Sequence, residues 1–363
     1  MRILIAGGGT GGHLIPALNI ARELARRDPD SRILFAGTSR GIEKDIVPAE
    51  GFPLELMPVV PLSRKPGLAW VKFPFALLKS VFKMISAIRR IEAQVVVATG
   101  GYVSGPGVLA GWLAGIPVVM CEQNSFPGLT TRMGSLFASC VCLGLPGARE
   151  KLWRSSRAVF TGNPVEMESR IDRAEAAERF GLNRELPILL VTGGSQGAQR
   201  INTAVIEWFR GGFPAGKLQM IWQTGAGKFE RATEEAGRLP DGVVAKPFIR
   251  PMSDAYSAAN LVVARCGALT LSEIAVFGLP SILVPYPYAA ADHQRKNALE
   301  FERSGAGVVI EDNSLDGESL SKTVAEIATD SSKLKQMSEA ALELGQPDAL
   351  ARIADIVEET AST

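Results

Sequence analysis

The sequence predicts an α/β protein built from two doubly wound parallel-sheet domains, and three observations predict it. The chain has 363 residues, which suits two domains at roughly 150 residues each. Short apolar runs alternate with longer helical patterns, as strands buried on both faces of a parallel sheet do. The opening scheme of strand, glycine loop and helix recurs near the middle of the chain, where residues 189–199 resemble residues 3–13.

In the first half, residues 3–6, 33–36, 95–98 and 118–120 read as strands. In the second, residues 188–191, 220–223, 243–245, 261–264 and 281–284 repeat the pattern. The turn-rich Thr161-Gly162-Asn163-Pro164 marks the join. The expected domains are therefore residues 1–163 and 164–341. A closing helix from about residue 342 to 363 is expected to pack back on the first domain.

Composition narrows the function classes. The chain is 46% hydrophobic and 21% charged, an ordinary globular balance, with 39 basic against 38 acidic residues. A net charge of +1 gives no support to a nucleic-acid partner. Cys121, Cys140, Cys142 and Cys266 form no CxxC pair, so no metal site is expected, and so few cysteines suit a reducing cytosol. The N-terminus runs from a strand into glycines, unlike a signal peptide. No uncharged apolar run reaches the about 18 residues that span a bilayer.

The segment from Pro61 to Ile91 stands apart. After Pro74, which suits a first helical turn, Phe75, Leu78, Phe82, Ile85 and Ile88 fall on one face, widened by Leu77, Val81 and Met84. Lys72, Lys79, Lys83 and Arg90 form a basic stripe about 100–140° away around the helix. Two readings stand: a core helix with a solvated edge, or an interfacial patch that touches anionic lipid. Trp70 and Phe73 favour the second.

Three glycine loops follow predicted strands. Gly7 to Gly12 matches GxGxxG, whose glycines let backbone approach a phosphate while the next helix aims its N–H groups at it. A dinucleotide site also needs an acidic residue at the end of the second strand, and that strand ends Phe35-Ala36-Gly37-Thr38. Gly193 to Gly197 repeats the logic and adds the Ser195 hydroxyl. Gly100 to Gly107 completes the set. Such loops line the crevice where open α/β sheets bind ligands, here a diphosphate-bearing substrate between the domains. With no P-loop lysine and no Asp-x-Asp pair, the diphosphate is expected to rely on helix N-termini and side-chain donors, without metal or other cofactor.

Glu273 follows the strand at 261–264. It reads either as a first-turn acid favoured by the helix dipole or as a carboxylate for ribose hydroxyls. Asp292 reads as an N-cap. The two histidines, His13 and His293, both lie beside glycine- or proline-rich loops.

Seven ordered motifs carry a family resemblance over nearly the whole chain: Gly8-Gly9-Thr10-Gly11-Gly12-His13, Gly100-Gly101-Tyr102-Val103-Ser104-Gly105-Pro106, Glu122-Gln123-Asn124, Gly162-Asn163-Pro164-Val165, Gly193-Gly194-Ser195-Gln196-Gly197-Ala198, Ala268-Leu269-Thr270-Leu271-Ser272-Glu273 and Asp292-His293-Gln294. In this the chain resembles the MurG family, which adds N-acetylglucosamine (GlcNAc) to lipid I in peptidoglycan synthesis. The resemblance implies a GT-B fold, two Rossmann-like domains with a cleft between them. It implies UDP-GlcNAc as donor, undecaprenyl-pyrophosphoryl-MurNAc-pentapeptide (lipid I) as acceptor, and lipid II, made with inversion, as product. A peripheral place on the cytoplasmic face of the membrane follows.

By the same resemblance Thr10, Gly11, Gly12 and Asn124 contact the donor sugar and reaction centre. Ser195 contacts the diphosphate, Ile249 the uracil through its backbone, and Glu273 the ribose. Ala268, Leu269, Thr270, Leu271 and Ser272 bring a helix N-terminus to the phosphates and sugar, and Gln294 binds GlcNAc hydroxyls. His13 and Glu122 are the candidates for the base. The sequence departs from the family at Glu166, where arginine is common, with Arg170 nearby, and at Cys121, where histidine is frequent. Three other readings share the architecture: a UDP-GlcNAc 2-epimerase, a nucleotide-sugar sensor and a diacylglycerol glycosyltransferase.

Overall fold

A computed structural model describes residues 1–59, 68–166 and 170–362, and for 68–73 the helix alone. The chain forms two compact units, residues 1–166 with 346–363, and residues 167–345.

Unit 1 runs β1 (Arg2–Gly7), α1 (Gly11–Arg27), β2 (Arg32–Gly37), α2 (Glu43–Ala49), β3 (Leu54–Leu56), α3 (Leu68–Ile91), β4 (Val95–Gly100), α4 (Ser104–Leu113), β5 (Val118–Glu122), α5 (Leu129–Gly134), β6 (Cys140–Leu143) and β7 (Ala158–Phe160). Among the described residues its strands pair parallel in the order β3-β2-β1-β4-β5-β6-β7. Alternate side chains take opposite faces, as strand geometry requires. Leu4, Ala6, Val96, Ala98 and Met120 pack with Val81, Met84 and Ile88 of α3. Ile3, Ile5, Phe35, Val97 and Val119 pack with Leu14, Leu18 and Leu24 of α1.

Unit 2 runs α6 (Arg173–Arg179), β8 (Ile188–Thr192), α7 (Gln199–Gly212), β9 (Gln219–Gln223), α8 (Phe229–Ala236), β10 (Val243–Lys246), α9 (Met252–Ala258), β11 (Leu261–Ala264), α10 (Ala268–Val276), β12 (Ser281–Leu283), α11 (His293–Ser304), β13 (Gly307–Val309), α12 (Gly317–Ala328) and α13 (Ser331–Leu344). Its parallel sheet is ordered β10-β9-β8-β11-β12-β13. The last helix, α14 (Ala349–Ala361), belongs to unit 1. There Ile353, Ala354 and Val357 join the α1 face of the core, and the Arg27 guanidinium donates to Asp355 at 2.6 Å and Glu358 at 3.1 Å.

The structure corrects several expectations. Four strands were not expected, β3, β6, β7 and β13. Each has three or four residues and pairs with a neighbouring strand of its sheet. Residues 342–344 end α13 and do not begin the closing helix. Gly345, whose position beside the Ala275 backbone leaves no room for a Cβ, and Pro347, which has no amide donor, separate the two helices.

Helix α3 starts six residues before Pro74, which lies inside it and not in its first turn. One missing amide donor is tolerated because later turns are held in the core. The expected single apolar row is divided. Ile88 is buried and Ile85 partly so, whereas Phe75, Leu78 and Phe82 are 72%, 54% and 67% exposed. The basic stripe is divided too: Lys83 and Arg90 pair with Glu55 of β3. Residues 61–67 and the side chains of Trp70, Lys72 and Phe73 lie outside the described residues. Among the described residues, no helix is long and apolar enough to cross a membrane.

Candidate active site

Strand order reverses between β1 and β4 in unit 1 and between β8 and β11 in unit 2. Such switch points are where open α/β sheets bind ligands, at the strand C-termini. The glycine loops stand there.

In unit 1 the first loop is organised by a carboxylate that sequence reading missed. Glu43, at the start of α2, is fully buried. Its Oε2 accepts from Gly9 N at 2.8 Å, and its Oε1 accepts from Thr38 N and Thr38 Oγ1, both at 2.8 Å. Burial alone would raise this carboxyl, but the hydrogen bonds from Gly9 and Thr38 outweigh it and hold it below the usual carboxylate range. An acid does therefore reach this loop, from a helix and not from the end of β2, and it holds the loop's own backbone.

Thr10 is the exposed N-cap of α1, followed by Gly11 and Gly12. His13 comes next, half-buried. Its carbonyl accepts from Thr99 Oγ1 at 2.8 Å, and its Nδ1 lies 3.3 Å from Gln123 Oε1. Gly100, at φ +113°, lies flush on the imidazole, where any Cβ would overlap Nδ1. A Cβ on Gly101, at φ +81°, would run into the Gly8 carbonyl. These two glycines are thus required by close approach of the Gly100 loop to the first loop.

At the end of β5, Glu122 is 5% exposed. Its Oε1 accepts from Asn124 N at 3.1 Å and Asn124 Nδ2 at 3.3 Å, and its Oε2 accepts from Gly128 N at 3.3 Å. Both oxygens hold the loop that carries Gln123 and Asn124. Asn163 Nδ2 donates to the Gln123 carbonyl at 3.1 Å and ties the loop to the segment after β7. Unit 1 thus gathers Thr10 to His13 and Glu122 to Asn124 at the same end of its sheet. Glu166 meets a cation from its own unit, Arg22 Nη1, at 2.9 Å.

Unit 2 treats its glycine loop differently. Ser195 and Gln196 are exposed at the loop tip. Lys228 Nζ donates to the Gln196 carbonyl at 2.6 Å, setting an ammonium against the loop. Gln223, buried at the end of β9, joins two of the expected contacts. Its Nε2 donates to Thr192 Oγ1 at 3.0 Å and to the Gly194 carbonyl at 3.3 Å, while its Oε1 accepts from Ile249 N at 2.8 Å. The Ile249 N–H is thereby committed inside the protein, which leaves the carbonyl as its free backbone group for the expected backbone contact.

Helix α10 begins at Ala268 after the N-cap Gly267, with no side-chain cap. Its first amides lack intrahelical partners by geometry. Ala268 and Leu271 are buried; Leu269, Thr270 and Ser272 are half-buried. Glu273 lies in the second turn, not the first, so the dipole is not its reason for being there. The buried Tyr256 hydroxyl donates to its Oε2 at 2.7 Å. Burial pushes the Glu273 carboxyl up, and the Tyr256 hydrogen bond only partly opposes this. Gln294, early in α11, accepts through Oε1 from Cys266 N at 3.2 Å and Tyr286 N at 3.0 Å, which ties α10's entry to the loop after β12. Asp292 occupies the N-cap of α11 in a left-handed conformation (φ +56°) without a side-chain cap. His293 Nδ1 contacts the Ala290 carbonyl at 2.7 Å.

Comparison with known proteins agrees with this architecture. Residues 3–143 match the glycosyltransferase family 28 N-terminal domain, and residues 188–357 its C-terminal domain. A Chlorobaculum parvum protein named UDP-N-acetylglucosamine–N-acetylmuramyl-(pentapeptide) pyrophosphoryl-undecaprenol N-acetylglucosamine transferase is 42% identical, covering 98% of each chain. A Moorella thermoacetica protein of the same name is 40% identical over 99% of each. The crystal structure of Acinetobacter baumannii MurG, 27% identical, superposes with a TM-score of 0.80 over 99% of both chains. The chain belongs to glycosyltransferase family 28, with both of its domains and the GT-B fold.

Proposed function

We propose that this chain is an inverting glycosyltransferase that moves GlcNAc from UDP-GlcNAc to the C4 hydroxyl of MurNAc in lipid I, giving lipid II and UDP. The activity named for its relatives supports the reaction. One structural observation carries the division of labour: the first glycine loop holds a buried carboxylate, Glu43, and the second holds an ammonium, Lys228. At an effective dielectric of about 20, a carboxylate and a phosphate about 6 Å apart repel by about 3 kcal/mol. The diphosphate is therefore assigned to unit 2, and acceptor chemistry to unit 1.

In unit 2 the Ser195 hydroxyl and the helix N-terminus carried by Ala268 to Ser272, with the amides up to Thr270 ahead of the Leu271 N–H that is held by the Gly267 carbonyl, meet the diphosphate and stabilise its charge as UDP departs. Glu273 accepts from the ribose hydroxyls. The Ile249 carbonyl faces the uracil N–H, and Gln294, its oxygen already held, offers Nε2 to a GlcNAc hydroxyl. Thr10, Gly11, Gly12 and Asn124 of unit 1 bind the sugar at the reaction centre. His13 takes the proton from the C4 hydroxyl. The C4 oxygen attacks the anomeric carbon opposite the diphosphate, whose C–O bond breaks with the electron pair leaving on UDP. Glu122 holds the Asn124 loop, so His13 is the base assigned here.

The lipid substrate and the exposed Phe75, Leu78 and Phe82, with Lys79 beside them, support peripheral docking on an anionic membrane at its cytoplasmic face. Helix α4, packed beside α3, adds exposed Trp112 and Leu113. Full burial of one such side chain contributes about 1.5–3 kcal/mol.

The deciding assay supplies lipid I with radiolabelled UDP-GlcNAc or UDP-glucose. Label should reach the lipid from UDP-GlcNAc; label only from UDP-glucose overturns the donor. Release of free ManNAc from UDP-GlcNAc would instead identify an epimerase. In sedimentation with anionic vesicles, the Phe75→Ser/Phe82→Ser variant should stay in solution, and its co-sedimentation at the wild-type level removes the membrane assignment.

A further inference from the structure

We propose that Gln123 is a positioning residue that sets the tautomer of His13, fixing the ring proton on Nδ1 and leaving the lone pair on Nε2. Gln123 is 2% exposed, and its Nε2 donates to the Cys121 carbonyl at 3.1 Å. A carbonyl can only accept, so the nitrogen end of the amide must face Cys121. The oxygen end then faces His13, with Oε1 3.3 Å from Nδ1. An amide oxygen also only accepts, so Nδ1 must carry the hydrogen. A neutral imidazole has one N–H, and Nε2 is therefore the acceptor. Turning the amide over would set oxygen against oxygen at Cys121 and forfeit that bond.

The surroundings hold both partners still. The Gln123 carbonyl accepts from Asn163 Nδ2, and the His13 carbonyl accepts from Thr99 Oγ1. Gly100 closes the Nδ1 side of the ring, where a Cβ would not fit. The two carboxylates of neighbouring segments are otherwise engaged: Glu122 with Asn124 and Gly128, Glu43 with Gly9 and Thr38. Gln123 is thus the acceptor that Nδ1 meets.

The catalytic consequence rests on the reading of His13 as the base. A base must present its lone pair to the hydroxyl it deprotonates, and a ring with its proton on Nε2 presents a hydrogen there instead. Holding the other tautomer before the acceptor arrives removes that misalignment.

The tautomer can be read directly, because His13 and His293 are the two histidines of the chain. In ¹⁵N-histidine protein, long-range ¹H–¹⁵N spectra of neutral His13 should show the Nδ1–H pattern. In Gln123→Met the Nε2–H pattern should gain, and kcat should fall about tenfold while the KM for UDP-GlcNAc stays within about twofold. Gln123→Glu, which keeps an acceptor at Nδ1 but loses the donor to the Cys121 carbonyl, should restore the Nδ1–H pattern in whatever fraction folds. An Nε2–H pattern in the wild type overturns the proposal, as does an unchanged tautomer in Gln123→Met. The wild-type spectrum decides even where a variant fails to fold. Full turnover in His13→Ala would strike out the base reading alone and leave the tautomer assignment standing.

Discussion

The loops Gly7 to Gly12 and Gly193 to Gly197 occupy the same place in two similar sheets, each after the strand where strand order reverses. They are nevertheless held by opposite charges. In the first, Glu43 takes the Gly9 amide and brings a buried negative charge to the loop. In the second, Gln223 accepts and donates as a neutral amide, Lys228 adds an ammonium, and Ser195 stands exposed. Two glycine loops at equivalent switch points thus differ in the charge set against them: a carboxylate accepts from the Gly9 amide in the first, and an ammonium donates to the Gln196 carbonyl in the second. The proposed division, chemistry beside His13 at the loop that holds an anion and the donor at the loop beside a cation, rests on this contrast.

That contrast can be broken most sharply at His13. His13→Ala should lower kcat by about 10²-fold or more, the usual contribution of a positioned base, with UDP affinity measured by calorimetry unchanged. A parallel loss of UDP affinity would put the first loop on the donor side and undo the comparison.

Glu273→Ala should act in the reverse sense. Losing a charged acceptor costs about 1.5–3 kcal/mol, read as a donor KM raised at least tenfold with kcat much less affected. The pH dependence has a definite sign. Because burial raises the Glu273 carboxyl above the usual range, the ionised form that the proposed ribose contact requires is lost as pH falls through that raised value. UDP affinity should decline on acidification before ordinary carboxylates titrate, and Glu273→Gln should flatten the profile. An unchanged profile in that variant counts against the ribose role.

Glu43→Gln sharpens the other half. Replacing a buried acceptor of three hydrogen bonds should cost about 2 kcal/mol of unit 1 stability in urea unfolding. Its folded value is depressed, so its stabilisation is fully present above the unfolded carboxylate range and is lost as pH falls through the folded value. The acid limb of the wild-type stability curve should therefore be shallower in the variant, and identical limbs would deny the carboxylate its role. The smallest effect is expected at Lys228. Lys228→Met should weaken UDP about fivefold, near 1 kcal/mol, and leave uridine binding unaltered. Equal weakening of both ligands would mean that Lys228 shapes the loop without favouring the diphosphate.

Much of the site was legible because glycine loops announce themselves. Gly8 to His13, Gly193 to Ala198 and Ala268 to Glu273 could be placed at strand ends from the residues alone, since strand, glycine and helix period leave a local trace. Glu43, Gln123, Asn163 and Gln223 were not singled out as site residues. Each has a partner far along the chain, Gly9 for Glu43, His13 for Gln123, Gln123 for Asn163 and Thr192 for Gln223, and although Gln123 and Asn163 stand in recognisable motifs, neither motif shows which distant group its side chain meets. The reading of helix α3 failed in another way: period alone placed Phe75 and Ile88 on one face, but the core takes Ile88 and leaves Phe75 in solvent.

By itself the sequence determined the two parallel-sheet units, the recurrence of strand, glycine loop and helix, and the family motifs, because apolar periodicity and glycine spacing are local properties of the chain. Only the tertiary structure decided which loop carries a buried carboxylate, that the Ile249 amide is committed to Gln223, and that Gln123 faces the His13 ring. Those outcomes depend on long-range hydrogen bonds closed by folding, and a buried donor or acceptor takes whichever partner the fold brings within reach.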